Sequence, residues 1–490
     1  MLIGVVTVLL VGCAARAVDL PAPSDTPIVL VSLDTLRADR LGAYGSTAGL
    51  TPSLDRFATE AVLFENAYSQ ATTTAPSHAS LFTSRYPTEE VGAGIRPEIR
   101  PEMKTLAEVL GVYGWESAAF VAGGELSPEM GIGRGFGSWD AAPAFGSLWH
   151  TVPRALSWLD AHGDASRWLL FVHGYDAHAR YLKPTPFGYS HADRSYGGLA
   201  QAAVRGVGPD RVATQRFIDG WFHPDIGAMS NIAAEEARPR SAEGRARLLQ
   251  DANRRGGLAR ATDGDTALIR GVYDGAVSYL DTQFGLFMAG LQDRGLLSRA
   301  IVIVFADHGE QLGEEGLFTH GSDVSDVETH VPLMIRMPGG AGGGRREAGV
   351  VELVDVMPTV LELAGAVPPA GIRGRSLAPA LRGEAFEGRP AAFTVGGMGW
   401  RMLSARSRQG RLTYSGAPVF AAVAPEVIEA AALPGPSFSG TEGLTDASGL
   451  RSDMALWLRT LAPPGAPGPA PLSPELRDEL RKHGYFEVDP

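Results

Sequence analysis

The stretch Thr72 to Pro87, T-T-T-A-P-S-H-A-S-L-F-T-S-R-Y-P, sets a run of hydroxyls ahead of a proline and a Ser-His pair, and an apolar run follows. This is the pattern of a loop that delivers a hydroxyl to the first turn of a helix. Unpaired backbone N–H groups and the positive end of the helix dipole suit an anionic ester there, and suit the alkoxide that would attack it. The bland reading of the same residues is a Ser/Thr/Pro turn with an N-cap. Other parts of the chain weigh against that reading. Asp34 closes a short apolar run, Ile28 to Leu33, and the pair Asp307-His308 closes another, Ala300 to Ala306. A third apolar stretch, Trp168 to Val172, runs into F-V-H-G-Y-D-A-H-A-R-Y, so that His173, Asp176 and His178 gather at its edge. Carboxylates and imidazoles are ligands for divalent cations, and such a cation activates a hydroxyl that is otherwise a weak nucleophile at neutral pH. Taken singly, Asp34 reads as a helix N-cap and His173 as a satisfied structural histidine. Apolar strands that end in acid, with a hydroxyl loop between them in sequence, are hard to obtain by chance.

Residues so far apart in sequence need a scaffold that returns to one edge repeatedly. The three apolar runs read as buried strands of a parallel sheet, and open α/β sheets bind ligands beyond the C-terminal ends of such strands. Leu54, Phe57, Ala61 and Phe64 recur at helical spacing and predict a covering helix from Thr51. Thr105 to Tyr113 predicts a short helix, followed by a strand at Ser117 to Ala122. Ala155 to Ala161 predicts another helix, and Val272, Val277, Leu280, Phe284, Phe287, Met288 and Leu291 predict a long one over Val272 to Leu291. Pro186 to Asp265 is polar and loop-like, either a lid over the cleft or a solvated insertion. R-Q-G-R-L-T-Y reads as a strand of a small antiparallel C-terminal sheet, the Pro-rich 463–474 as a loop and Leu476 to Phe486 as a closing helix.

At 490 residues, 44% apolar and 20% charged, the chain has the composition of a soluble globular protein long enough for a large α/β domain with an appendage. The net charge of −12 gives a nucleic-acid partner no electrostatic support. Residues 2–12 form an apolar run too short to span a bilayer comfortably, and it stops at Cys13, the only cysteine. Leu10-Val11-Gly12-Cys13 resembles a bacterial lipobox, whose cysteine is lipidated; the alternative is a plain secretory signal cut nearby. The expectation is an exported protein anchored to a membrane through Cys13, facing the periplasm or cell exterior, with 1–12 as signal, 13–27 as tether and no intrachain disulfide.

Several of these blocks resemble the sulfatase family of the alkaline phosphatase superfamily. Thr74, Pro76 and Ser77 fall in register with its signature C/S-x-P-S-R, with His78 at the arginine position. L-D-T-L-R-A-D-R-L-G-A-Y-G is similar to D-D-L-R-x-D-x-L-G-x-Y-G, with Thr35 in place of the second aspartate. F-A-D-H-G-E-Q-L-G-E-E-G-L-F-T-H-G resembles T-S-D-H-G-x-x-L-G-x-H-G, and the late segments V-V-E-L-V-D-V-M-P-T-V-L-E-L and G-I-R-G-R-S-L-A-P-A-L-R-G resemble late family blocks. The resemblance implies an alkaline-phosphatase-like α/β fold, a mixed sheet sandwiched by helices, with 28–383 as the catalytic domain and 384–490 as a small C-terminal α+β subdomain.

By position, the resemblance implies that Asp34, Asp307 and His308 hold a divalent ion, with the Thr74 oxygen as exchangeable ligand. Loss of the carboxylate at Thr35 favours manganese or zinc over calcium. It also implies that His78, His173 and His320 contact the anion or its leaving group, with His178 as a further substrate contact. Sulfatases convert the signature Cys or Ser to formylglycine; threonine there is similar to the phosphotransferase branch, in which the hydroxyl attacks directly. The expected function is therefore hydrolysis or transfer of phosphate esters or phosphonates through Thr74, on an anionic ester such as a lipid or glycan head group. Alternatives are sulfate-ester hydrolysis without formylglycine, and a binding protein that keeps the fold without turnover. Asp274, Asp281 and His330 are read as scaffold.

Overall fold

The computed structural model describes residues 25–87, 89, 99–179, 181–196, 262–314, 317–397, 402–415, 438–439 and 448–461. Cys13, the expected signal and nearly all of the tether, the body of the 186–265 insertion, and the expected loop and closing helix beyond 461 lie outside the described residues.

The main sheet is built from β1 (Ile28–Leu33), β2 (Val62–Tyr68), β3 (Glu116–Phe120), β4 (Ser138–Asp140), β5 (Trp168–Gly174), β6 (Ile301–Phe305), β9 (Leu333–Arg336) and β10 (Arg346–Glu352). β7 (Gln311–Leu312) and β8 (Phe318–Thr319) pair in a ribbon of their own beyond β6. Strand order in the eight-stranded sheet is β10-β2-β9-β6-β1-β5-β3-β4. Successive side chains of a strand point to opposite faces, yet every residue of β1, β5 and β6 is buried, so the sheet is covered on both sides. β9 runs antiparallel to both β6 and β2, while β1 is parallel to β5 and β6. Two reversals leave β2 pointing the same way as β1. With Ser32 opposite both His173 and Phe305, the ends of β1, β5 and β6 are level. Asp34, His173 and Asp307 therefore emerge at one edge, and the chain leaving β2 reaches the same edge before Thr74.

The helices are α1 (Pro52–Thr59), α2 (Thr74–Thr83), α3 (Leu106–Val112), α4 (Leu148–His162), α5 (Asp263–Asp293), α6 (Asp326–Thr329), α7 (Val356–Leu363), α8 (Ala378–Arg382) and α9 (Ser448–Thr460). Their bounds depart from simple periodicity for identifiable reasons. Leu54 and Phe57 face the core from α1, but Ala61 and Phe64 belong to the turn and strand that follow. The apolar spacing ran across a helix-to-strand boundary. α5 starts well ahead of its apolar stripe, because Thr262 and Asp265 form a reciprocal capping box that pairs its first N–H groups. The stretch expected to be loop up to Asp265 therefore ends in helix. α4 begins at Leu148, where Asp176 Oδ2 accepts the Leu148 N–H at 2.8 Å; Pro153 inside the helix hid its first turns. Asp281 accepts the N–H groups of Ser53 and Leu54, at 3.0 and 2.8 Å, and so caps α1 as scaffold.

A four-stranded antiparallel sheet of β11 (Ala392–Gly396), β12 (Met402–Arg406), β13 (Arg411–Ser415) and β14 (Phe438–Ser439) follows. α9 packs on it through Trp457, stacked on Phe393 at 4.8 Å between ring centroids. Its edge is tied to the loop after β2: Val395 N–H donates to Gln70 O at 3.0 Å, and Thr394 Oγ1 donates to Ser69 O. Beneath that seam Arg389 pairs with Glu352 and Asp355 in a buried network. The C-terminal sheet thus braces the segment that leads to Thr74.

Candidate active site

Asp34, Asp307 and His308 are fully buried and offer ligand atoms that lie within 4.8 Å of one another. Thr74 stands at the first residue of α2, where its Oγ1 donates to Asp34 Oδ2 at 3.1 Å and lies 3.3 Å from His308 Nε2. His308 Nδ1 donates to Gly309 O at 2.9 Å, which leaves the Nε2 lone pair for a ligand. Asp34 Oδ1, Asp307 Oδ2 and Thr35 Oγ1 are buried without a hydrogen-bond partner in the protein. Buried acceptors without donors are costly, and a cation among them removes that cost. The donor set of two carboxylates, an imidazole and hydroxyls fits a divalent ion. Burial and the neighbouring charge of Asp307 push the Asp34 carboxyl well above its ordinary range. Burial acts against ionisation of Asp307 too, but His308, His78 and His173 outweigh it and hold that carboxyl low. In a dry site the pair needs either a shared proton or a cation.

Local backbone explains why these groups converge. Thr35 adopts φ 54°, a left-handed conformation that is strained for a β-branched residue. Its N–H donates to Asp307 Oδ1 at 3.3 Å, and Tyr273 Oη donates to its carbonyl at 2.7 Å. Arg37, buried and paired with Asp39 and Glu314, also donates to Glu310 O at 3.1 Å, which ties the loop after β1 to the loop after β6. Gly309 matters for a reason other than ligand approach. A Cβ there would sit 2.0 Å from Val327 O, so glycine is needed for the chain to pass its own backbone.

The structure gathers His173, His178 and His320 beside this cluster. His173 Nε2 lies 3.2 Å from Asp34 Oδ2, so it orients a carboxylate of the cation set. His320 Nδ1 is 3.0 Å from Glu310 Oε1, and its ring centroid is 4.4 Å from that of His308 and 4.9 Å from that of His178. Burial pushes His320 down to about 4. His78 lies beside the same cluster, its Nδ1 3.6 Å from Asp307 Oδ2. It is fully buried beneath α2, its Nδ1 2.8 Å from Thr74 O and its Nε2 2.9 Å from Ser32 Oγ. Both ring nitrogens are engaged within the fold, and burial pushes the imidazole below its ordinary range. The side chain folds back along its own helix to the first-turn carbonyl, so it supports Thr74 from below. His330 likewise serves the fold, with Nε2 2.8 Å from Glu65 O.

One residue escaped the sequence reading. Glu125, fully buried on the turn after β3, accepts the Ala75 N–H through Oε2 at 2.6 Å, directly beside Thr74. Burial pushes its carboxyl up to about 8. The signal was available: A-G-G-E puts an acid behind paired glycines at the end of an apolar strand, the same placement that marked Asp34.

Residues 26–366 match the family model described as Sulfatase. The steryl-sulfatase of Mus musculus is 28% identical over 414 residues, spanning 74% of this chain and 66% of that protein. The multifunctional alkaline phosphatase superfamily protein PehA of Trinickia caryophylli is 25% identical over 427 residues, spanning 74% of this chain and 78% of PehA. Among solved structures, the phosphonate monoester hydrolase of Agrobacterium radiobacter aligns over 89% of this chain and 95% of its own, with a TM-score of 0.61 and 19% identity, a likeness of fold.

Proposed function

The chain belongs to the sulfatase family, and on that premise we propose that it is a metal-dependent hydrolase or transferase of phosphate monoesters, phosphodiesters or phosphonates with Thr74 as covalent nucleophile. The observation that carries this reading is the Thr74 hydroxyl itself, 3.1 Å from Asp34 and 3.3 Å from His308 at the start of α2. Threonine is not a formylglycine precursor, so a direct attack is the chemistry left to this position. A divalent ion held by Asp34, Asp307 and His308 supplies the positive charge that favours an alkoxide and polarises the ester.

Thr74 Oγ1 gives up its proton along the hydrogen bond to Asp34 and attacks phosphorus. The new bond joins Oγ1 to phosphorus as the bond from phosphorus to the ester oxygen breaks; that oxygen leaves as an alkoxide and takes a proton from water, and a phosphothreonine remains. Water or an acceptor hydroxyl then attacks phosphorus and releases its proton to solvent, the Oγ1–phosphorus bond breaks, and Thr74 Oγ1 takes back its proton from Asp34. His173 keeps Asp34 oriented throughout, His178 and His320 contact the ester oxygens, and Glu310 fixes the orientation of His320. Sulfate-ester hydrolysis is the second reading, favoured by the steryl-sulfatase relative and opposed by the residue at position 74. Export and membrane anchoring through Cys13 complete the proposal, on the strength of the apolar run and L-V-G-C sequence.

The test uses the soluble form starting at Pro21 with manganese, zinc or calcium and aryl phosphates, phosphodiesters, phosphonates and sulfates. Cation-dependent phosphoester turnover that falls by about 10³-fold or more in Thr74→Ala is expected. Sulfate turnover that survives this substitution would overturn the assignment.

A further inference from the structure

The first turn of α2 has few donors to offer an anion. Pro76 has no N–H, and Ser77 N–H already donates to Thr73 O at 3.2 Å. That leaves the N–H groups of Thr74 and Ala75, and Glu125 Oε2 holds the second of these. The second Glu125 oxygen, Oε1, is buried with no hydrogen-bond partner among the described residues. The turn that delivers this carboxylate is built for it. Gly123 and Gly124 adopt φ 63° and 60°, and a Cβ on Gly123 would meet Ala141 O at 2.6 Å. Arg37, the buried cation close by, is already paired with Asp39 and Glu314. A divalent cation would balance Asp34 and Asp307 and would leave Glu125, whenever it is ionised, uncompensated.

We propose that Glu125, once ionised, sets the charge of the ester this site accepts, occupying with its own carboxylate the place where a second anionic oxygen would dock, so that in alkaline solution singly charged groups are selected over doubly charged ones. The inference rests on the reading of Thr74 as nucleophile, because that fixes where the transferred group sits. Phosphodiesters and phosphonate monoesters carry one negative charge on that group; phosphate monoesters carry two. A mere helix cap would make no such distinction.

Glu125→Gln separates the two roles, since the amide oxygen still accepts the Ala75 N–H while the charge is gone. Equilibrium binding of inorganic phosphate and of dimethyl phosphate is measured on the cation-loaded protein at pH 9, above the value of about 8 to which burial lifts Glu125. In Glu125→Gln, phosphate should bind tighter by about tenfold or more relative to dimethyl phosphate, through loss of a near like charge. Glu125→Asp, which keeps the charge, should retain the wild-type ratio. Equal changes for both anions, no change, or the same shift in Asp as in Gln would overturn the proposal. Because binding needs no turnover, a selective shift in a protein inert toward every ester supports Glu125 while removing the phosphoryl-transfer reading. Turnover through Thr74 with no selective shift does the reverse.

Discussion

Substituting Asp34→Asn should raise stability without cation and remove most of the stabilisation that cation gives. The carboxylates of Asp34 and Asp307 present oxygens within 4.8 Å of each other in a buried site. At that separation and an effective dielectric of about 20, two negative charges repel by about 3.5 kcal/mol. Protonation of Asp34, whose carboxyl is raised by burial and by Asp307, relieves part of this when no cation is present. The asparagine keeps an oxygen for the Thr74 hydroxyl and for His173 and removes the repulsion. In chelator at pH 8 the variant should therefore be more stable by about 1–3 kcal/mol, a rise of several degrees in Tm. A cation at 100 times its Kd stabilises the native protein by about 2.7 kcal/mol. If loss of the charged ligand weakens affinity by about 100-fold, the same cation concentration gives the variant only about 0.4 kcal/mol. Thermal unfolding by circular dichroism, in chelator and across a cation titration, reads both effects. A variant that melts below the native protein in chelator and keeps the full cation shift would refute the assignment of this pair.

The raised carboxyl of Glu125 predicts a pH-dependent stability in chelator. Its folded value of about 8 lies above the ordinary 4.5, so the fold favours the neutral form; the stabilisation is fully present below about pH 4.5 and is lost as pH rises through 8. Glu125→Gln should match the native protein at pH 4.5 and exceed it by up to about 5 kcal/mol at pH 9, in denaturant titrations at both pH values; an advantage independent of pH would rule out the buried titration. His78→Phe leaves Ser32 Oγ and Thr74 O without their ring partner, and should cost about 2–4 kcal/mol by denaturant titration whether or not cation is present. Loss of turnover at unchanged stability would instead return His78 to the chemistry. Arg389→Met strands Glu352 and Asp355 in the buried seam of the C-terminal sheet and should destabilise by about 3–5 kcal/mol, seen as a lowered Tm; a neutral effect would show that the seam does not brace the loop before Thr74.

What the sequence determined by itself are features that depend on local order along the chain. An apolar run bounded by acid is legible because a doubly covered strand must be apolar on both faces and its end must meet the ligand edge, and this holds for Asp34, His173 and Asp307. The Thr74 hydroxyl ahead of an apolar helix was legible for the same reason, and the family blocks added the correct sheet class. Helix limits were less legible where caps decide them: Thr262 and Asp265 start α5 in a stretch with no apolar stripe, and the pattern through Phe64 crossed from helix to strand.

Tertiary structure alone decided which of several plausible polar side chains meet. His78 and His320 look alike as titratable residues in family-like blocks. The path of α2 over the sheet turns the first inward to Ser32, while the crossing of the loop after β6 brings the second against His308. Glu125 stands well apart from both Thr74 and Asp307 in the chain, and only the strand order, which places β3 beside β5 and β5 beside β1, brings its carboxylate to the first turn of α2 beside Thr74. A hydrogen bond such as that from Ala75 N–H to Glu125 needs atoms within about 3 Å, and spacing along a chain cannot fix a distance across a sheet.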